Sequence, residues 1–237
     1  MAIALVDRQQ VKYHLHGLAD VALQTAVTKN TRFEIGSISK PLTALAALGL
    51  VQGGRWQLQQ PVAALTALSQ LKKHQYSLAD LLTHRSGLSR LPANMPLYNA
   101  VNPYAGYTET ALLDAAASAD FGPNGFSYSN FGYGLLGVLI AHQLQQPYTA
   151  VMRQHVFTPL NMTTAAVQCS GSQLADLATG YAINDVAVAH WQFDSMAGAG
   201  AVVASTPVPT PVPTPTPVTP QDNPRPAMPS DGVASTS

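Results

Sequence analysis

Phe33-Glu34-Ile35-Gly36-Ser37-Ile38-Ser39-Lys40, running directly into the apolar stretch Pro41 to Val51, is the segment on which the fold reading turns. Ser37 and Lys40 are three residues apart, and residues at that spacing share a face of a helix. The lysine amine then lies beside the serine hydroxyl. A serine hydroxyl alone is a weak nucleophile, and an adjacent base can take its proton. A helix start adds free N–H groups and a partial positive charge, which favour a developing oxyanion. The same spacing also describes an ordinary helix start, so the pair needs corroboration elsewhere in the chain.

Three further stretches corroborate it. They are Leu81-Leu82-Thr83-His84-Arg85-Ser86-Gly87-Leu88, Tyr128-Ser129-Asn130 within Gly125 to Gly134, and Pro159-Leu160-Asn161-Met162-Thr163. With Phe33 to Lys40, these motifs resemble, in the same order, the serine β-lactamase and penicillin-binding-protein superfamily. The match is best to its class C branch, which also holds esterases and D-amino-acid peptidases and carries Tyr-x-Asn as second motif. The resemblance spans roughly Ile3 to Ser205. It implies an α/β (α+β) fold of the β-lactamase/transpeptidase type, an antiparallel sheet flanked by a helical domain. It also implies roles: Ser37 as nucleophile, Lys40 and Tyr128 as the proton-transfer pair, and Asn130 as the substrate-positioning amide. A cation beside a phenol lowers its pKa, which suits Tyr128 to act as a base. The competing reading makes Tyr128 and Asn130 turn residues before a helix, because Asn caps helices well.

Composition sets bounds on these readings. The chain has 237 residues, is 46% hydrophobic and 10% charged, and has formal net charge +0. No basic surplus points to nucleic acid or to an anionic membrane. No run has the length of a membrane span. Ala2 to Val6 is too short for a signal-peptide core, so the chain as written is expected to stay in the cytoplasm, although relatives are commonly exported. The single cysteine, Cys169, excludes an internal disulfide and a cysteine metal cluster, and is expected to be a small buried apolar residue. No metal or organic cofactor is implied.

In chain order, Ala2 to His16 predicts a β-hairpin with a polar turn at Asp7-Arg8-Gln9-Gln10. His14 and His16 could share a strand face and bind a metal, but no third ligand is apparent, and a half-exposed strand is the simpler reading. Gly17 to Asp20 is expected to leave the hairpin, and Thr31 to Ile35 to form a short strand. Ser37 to Val51 predicts a helix closed by Gly53-Gly54 and buried on most sides. Pro41 is compatible with it only in the first turn. Ser77-Leu78-Ala79-Asp80 has capping-box spacing. His84, where that helix breaks, is read either as an acid–base group or as a structural hydrogen-bonding residue at the turn. Leu88 to Tyr107 reads as an irregular loop in which Tyr98, Tyr104 and Tyr107 either touch substrate or pack the loop. Helices are predicted over Thr108 to Ala119, Phe131 to His142 and from Pro147. The Ala197-Gly198-Ala199-Gly200-Ala201 stretch makes a poor dinucleotide loop, because Gly-x-Gly-x-x-Gly is incomplete.

From Thr206 the composition changes to alternating Pro, Thr and Val. Residues 206–237 are therefore expected to be a disordered, polyproline-like tail, and residues 1–205 the hydrolase-like unit, with strands over 1–36 and mostly helices over 37–205. No Lys-Thr-Gly or His-x-Gly follows Tyr128. In the family that third motif lies on a strand beside the nucleophile and supplies an oxyanion donor; losing one such donor costs about 100- to 1000-fold in rate. The reading is thus a serine hydrolase truncated at both ends, with part of the sheet missing and activity impaired. Its substrate would be a small molecule: a β-lactam, a D-alanyl peptide or an ester. The rival reading is a non-catalytic fragment or binding module derived from such an enzyme.

Overall fold

The hairpin forms where the apolar alternation puts it. Strand β1 (Ala2–Asp7) pairs antiparallel with β2 (Gln10–Leu15), with Asp7 opposite Gln10. The structure, a computed structural model, describes residues 1–7, 10–96, 101–122 and 125–206. His14 and His16 are both exposed, and no cluster of three or more His, Cys, Asp or Glu side chains occurs among the described residues. Gly17 to Asp20 does not simply leave the hairpin. Gly17 adopts φ +80°, and the chain turns into β3 (Leu18–Asp20), which pairs with β4 (Thr25–Ala26) in a second small ribbon. The Thr31–Ile35 strand appears as β5 (Phe33–Glu34).

After β5, Gly36–Ile38 forms a single 3-10 turn, and helix α1 (Ser39–Gln52) continues from it. The predicted helix therefore starts two residues late, with Ser37 in the tighter turn that leads in. Pro41 then occupies the first turn, where its missing N–H costs nothing. A short α2 (Leu78–Leu82) begins at Ser77, whose hydroxyl accepts from the Asp80 N–H while the Asp80 carboxylate accepts from the Ser77 N–H, so the capping box is present. Thr108 caps α3 (Glu109–Ser118) in the same way through the Ala111 N–H. Helix α4 (Asn130–Leu144) is capped by Ser129, whose hydroxyl accepts from the Gly132 N–H at 2.8 Å. The capping residue before this helix is thus Ser129, and Asn130 is its first helical residue. Helix α5 (Tyr148–Met152) runs on into a wider turn over Arg153–Phe157.

The core is built on α4, every residue of which from Phe131 to Ile140 is buried. Helix α1, expected to be covered on most sides, is not. Its Ala46, Ala47 and Leu50 are buried, but Leu45 and Leu48 are 47% and 41% exposed. The reason is incomplete cover: α1 packs against α4, α5 and the later turn Ala197–Gly200, and these leave Leu45 and Leu48 open. An apolar circumference states what a helix can bury, and the neighbours decide what it does bury.

Beyond α5, β6 (Ala166–Val167), β7 (Gly180–Tyr181) and β8 (Ala187–Val188) are short, and β7 pairs only with β8. The glycine-rich stretch forms one helical turn, α6 (Ala197–Gly200), followed by β9 (Val202–Ala204). Strand β9 lies between β5 and β6 in a three-stranded antiparallel sheet. This sheet ties the segment just before Ser37 to the segment just after α6. Cys169 departs from expectation: it is half-buried, with the Arg32 guanidinium 3.9 Å from its sulfur. It follows β6, the edge strand of this sheet. Of the segment 206–237 only Thr206 is described, and its hydroxyl donates to the Lys29 carbonyl at 3.1 Å; the predicted tail otherwise lies outside the described residues. No helix among the described residues is long and apolar enough to cross a membrane.

Candidate active site

Helix α1 presents three buried polar side chains, Ser39, Lys40 and Thr43, to α6 and the start of β9. Each makes a specific bond there. Lys40 Nζ donates to the Ala199 carbonyl at 2.7 Å, Thr43 Oγ1 to the Gly198 carbonyl at 2.8 Å, and Ser39 Oγ accepts from the Val202 N–H at 3.0 Å. Buried polar groups are costly unless bonded, so this set fixes the register between α1 and α6. The close approach depends on glycine. An added Cβ on Gly137 would sit 3.2 Å from the Gly198 Cα, and one on Gly198 would overlap the Tyr133 carbonyl oxygen. The Ala-Gly repeat noted in the sequence is therefore a helix-crossing surface.

With its far side held by Ala199, the Lys40 amine also donates to Ser37 Oγ at 3.0 Å. Ser37 itself is exposed. Its hydroxyl lies 2.6 Å from Tyr128 Oη. Lys40 Nζ further sits 4.8 Å from the centre of the Tyr128 ring. Ser37, Lys40 and Tyr128, predicted from two motifs 91 residues apart, thus converge on one hydrogen-bonded cluster. Burial pushes the Lys40 pKa down; its interaction with Tyr128 opposes this, and the charge of Arg90 adds to it. Burial alone would raise the Tyr128 pKa, but bonding to Lys40 and Ser37 and the charges of Lys40 and Arg90 outweigh it, so the phenol titrates below its ordinary value.

Asn130 lies on the first turn of α4, where its side-chain amide donates to Tyr104 Oη at 3.2 Å. Its carbonyl oxygen Oδ1 is buried and has no hydrogen-bond partner. Buried polar atoms without partners are rare, and this one lies beside a cleft of about 390 Å³ lined by Ser37, Asn130, Tyr104 and Arg90. Tyr104 is thus the loop tyrosine that faces the cleft. Tyr107 packs inside instead, donating to Asn94 Oδ1 at 2.6 Å, with burial pushing its pKa up to about 12. Tyr98 lies outside the described residues.

Several neighbours were not singled out from the sequence. Trp191 and Phe193 complete an aromatic wall with Tyr104, which stacks on Phe193 at 4.8 Å between ring centres. Glu34 on β5 accepts from the Trp191 N–H at 2.8 Å and so fastens this wall beside Ser37. His84 resolves toward its structural reading. At φ 59° it accepts from the Ser129 N–H through Nδ1 at 3.1 Å, and its ring lies 4.6 Å from that of Tyr128. Burial and then the Lys40 charge hold its pKa down, so the neutral acceptor is favoured. It orients the Tyr128–Ser129 segment and makes no bond to Ser37.

Fold and motif geometry together define the class: the Ser-x-x-Lys proteins of the serine β-lactamase and penicillin-binding type. The chain belongs to the β-lactamase family, whose family model matches residues 1–237. It is 29% identical over 184 residues to a β-lactamase of Pseudomonas fluorescens and 31% identical over 186 residues to one of Providencia stuartii. Each alignment covers 76% of this chain but only 49% and 46% of those proteins. The chain therefore spans about half the length of the curated relatives it matches. Among solved structures it is similar to a class C β-lactamase of Rhodobacter sphaeroides, with TM-score 0.74 and 25% identity over 86% of this chain and 57% of that one. It is also similar to a β-lactamase/D-alanine carboxypeptidase of Pseudomonas syringae, with TM-score 0.76 and 25% identity over 86% and 56%. The expected fold type and superfamily are borne out.

Proposed function

We propose that Ser37 is the nucleophile of an acyl-transfer hydrolase. The observation that carries this reading is the bonding of one exposed hydroxyl to both Tyr128 Oη and the buried Lys40 amine. Two Lys40 hydrogens go to Ala199 and Ser37, so the single Ser37 hydrogen is left to point at Tyr128. Tyr128, as the phenolate that Lys40 stabilises, takes that proton and becomes the neutral phenol as Ser37 Oγ attacks a carbonyl carbon. Tyr128 next returns the proton to the leaving group, and an acyl-enzyme remains on Ser37. Asn130 orients an amide substrate by accepting its N–H with the oxygen that lacks an internal partner, and the Ser37 N–H is one oxyanion donor. Water activated by the same Tyr128–Lys40 pair releases the acid. The unit that carries this chemistry is residues 1–205. The substrate class is a small β-lactam, a D-alanyl peptide or an ester. Similarity to the class C β-lactamase of Rhodobacter sphaeroides and the β-lactamase/D-alanine carboxypeptidase of Pseudomonas syringae supports the first two.

The test is intact-mass spectrometry after exposure to a fluorophosphonate or a penicillin. A single adduct that maps to Ser37 and disappears in Ser37→Ala is expected. An adduct of unchanged yield in Ser37→Ala would remove the assignment.

A further inference from the structure

We infer that His84 is a positioning residue that holds the Tyr128 phenol against Ser37, and that it gives up this hold when its ring is protonated. The inference rests on the serine-hydrolase reading above, which makes Tyr128 the proton acceptor. It starts from the main chain on either side of Tyr128. The Ser127 N–H donates to the His84 carbonyl at 2.8 Å, and the Ser129 N–H donates to His84 Nδ1 at 3.1 Å. One residue thus grips both flanks of the phenol from 45 residues away in the sequence. Its ring also lies against the phenol itself, with 4.6 Å between ring centres.

His84 follows α2, and its φ of 59° lies in the left-handed region. A residue with a Cβ adopts that region only at a cost, and it persists where the surroundings impose it. Here they do. The Arg85 N–H donates to the Asp80 carbonyl at 2.7 Å, and Tyr133 Oη donates to the Leu82 carbonyl at 2.8 Å. The Tyr133 ring also contacts the imidazole, at 5.0 Å between centres. Helix α4 therefore supports His84, and His84 supports Tyr128. His84 does not line the cleft, so it acts on the reaction through Tyr128 and not through substrate.

An imidazole nitrogen accepts a hydrogen bond only while it is unprotonated. Nδ1 accepts here, so Nε2 carries the hydrogen of the neutral ring. Protonation makes both nitrogens donors. The Ser129 N–H then faces another donor, and no rotation of the ring restores an acceptor. The groups around the ring oppose that charge. Lys40 of α1 is the cation that acts on it, Arg85 follows it in the chain, and Arg90 lies 5.2 Å from the Tyr128 ring centre. Tyr128 and Tyr133 are its titratable ring neighbours, and no ion pair among the described residues involves it. Burial and then the Lys40 charge place its pKa below the ordinary value of about 6.5. The hold is thus on at neutral pH and off in acid. Two protons oppose the reaction on the acid side: one on Tyr128 removes the base, and one on His84 misplaces it.

The experiment follows the rate at which a fluorophosphonate labels the full chain, by intact-mass spectrometry from pH 4 to 9, beside the ¹⁵N-histidine NMR spectrum. In the wild type the acid limb should steepen from first to second order in proton concentration. The second inflection should coincide with titration of the His84 ring, assigned by the signals that its variants lose. His84→Asn keeps an acceptor oxygen, tolerates the left-handed backbone and does not titrate. It should keep the first inflection and lose the second. His84→Gly fits the same backbone without acceptor or ring, and should label about 10- to 100-fold more slowly at neutral pH, because the base is misplaced. A residue that only stabilised the fold would lower the melting temperature and leave the order of the acid limb unchanged. A second inflection that persists in His84→Asn, a single one in the wild type, or a folded His84→Gly that labels at the wild-type rate overturns this inference and leaves the nucleophile assignment standing. If His84→Gly does not fold, the shape of the His84→Asn profile decides. A wild type that does not label, or labelling that survives Ser37→Ala, overturns the nucleophile assignment and this inference with it.

Discussion

Lys40 is only 4% exposed and has no carboxylate partner, an unusual state for an ammonium group. Stability alone does not account for it; the proposed activation of the Ser37 hydroxyl would. The protonation sign can be worked through. The folded-state pKa of Lys40 lies below the unfolded value of about 10.4. Between the two, the unfolded state binds more protons, so stability rises with pH across that window and is lost as pH falls through the folded value. Thermal melts from pH 7 to 10 should display this rise in the wild type, and Lys40→Met should flatten it while abolishing hydrolysis. A wild-type melting curve that is flat over this range would contradict the depressed Lys40. Lys40→Ala and Tyr128→Phe should each lower ester turnover by about 10²- to 10⁴-fold. Their double mutant should be no worse than the worse single mutant, because the two act as a unit. Nearly all of this cluster was legible in the sequence, because Ser37–Lys40 is a local spacing and Tyr128–Asn130 a compact motif. Arg90, Trp191 and Phe193 were not, since loop closure over long sequence separations brings them to the cleft and no periodicity marks them.

At the scale of elements, the site depends on how closely α6 approaches α1 and α4. Gly198→Ala would drive a methyl group into the Tyr133 carbonyl. Overpacking of this kind costs about 1–3 kcal/mol. It should also pull the Ala199 carbonyl away from Lys40, so turnover should fall with stability. Gly49→Ala is the matched control, as nothing lies within 4 Å of its added Cβ on the exposed side of α1. That change should stabilise the helix by about 0.5–1 kcal/mol. Circular-dichroism melts with an ester assay on each variant check the pair, and a Gly198→Ala protein as stable and active as Gly49→Ala would refute the crossing argument. Sequence reading found α1, α3 and α4 through their apolar spacing and caps. It missed β9 and the β3–β4 ribbon, which have three residues or fewer per strand. Strands this short carry no readable alternation, and β9 exists only because β5 and β6 flank it. The 3-10 turn at Ser37 was also missed, since residue spacing alone does not separate it from the first turn of an α-helix.

For the whole molecule, large apolar side chains stand exposed on both the N-terminal ribbons and the helical side. On the N-terminal ribbons, Leu5 and Val6 are 55% and 62% exposed, and Val21 and Leu23 are 51% and 77% exposed. On the helical side, Ile38, Leu45 and Leu48 are 67%, 47% and 41% exposed, and the last two belong to the uncovered stripe of α1. The β1–β2 hairpin is a two-stranded sheet of its own, an arrangement that is at best marginal in water without further cover. Its outer edges also offer unpaired backbone groups to another strand. Formal net charge is +0, so little long-range repulsion keeps copies apart. These faces are the expected route of self-association. In size-exclusion chromatography with light scattering, the wild type should elute well above its 25.0 kDa chain mass at tens of micromolar. Leu45→Glu with Leu48→Glu should shift it toward monomer, because two carboxylates on the stripe make docking costly while the buried side of α1 stays intact. The double variant should also keep the adduct proposed at Ser37, because neither leucine lies in the Ser37–Lys40–Tyr128 cluster. A monodisperse wild-type monomer at that concentration would mean that the exposed leucines and valines are tolerated as they stand.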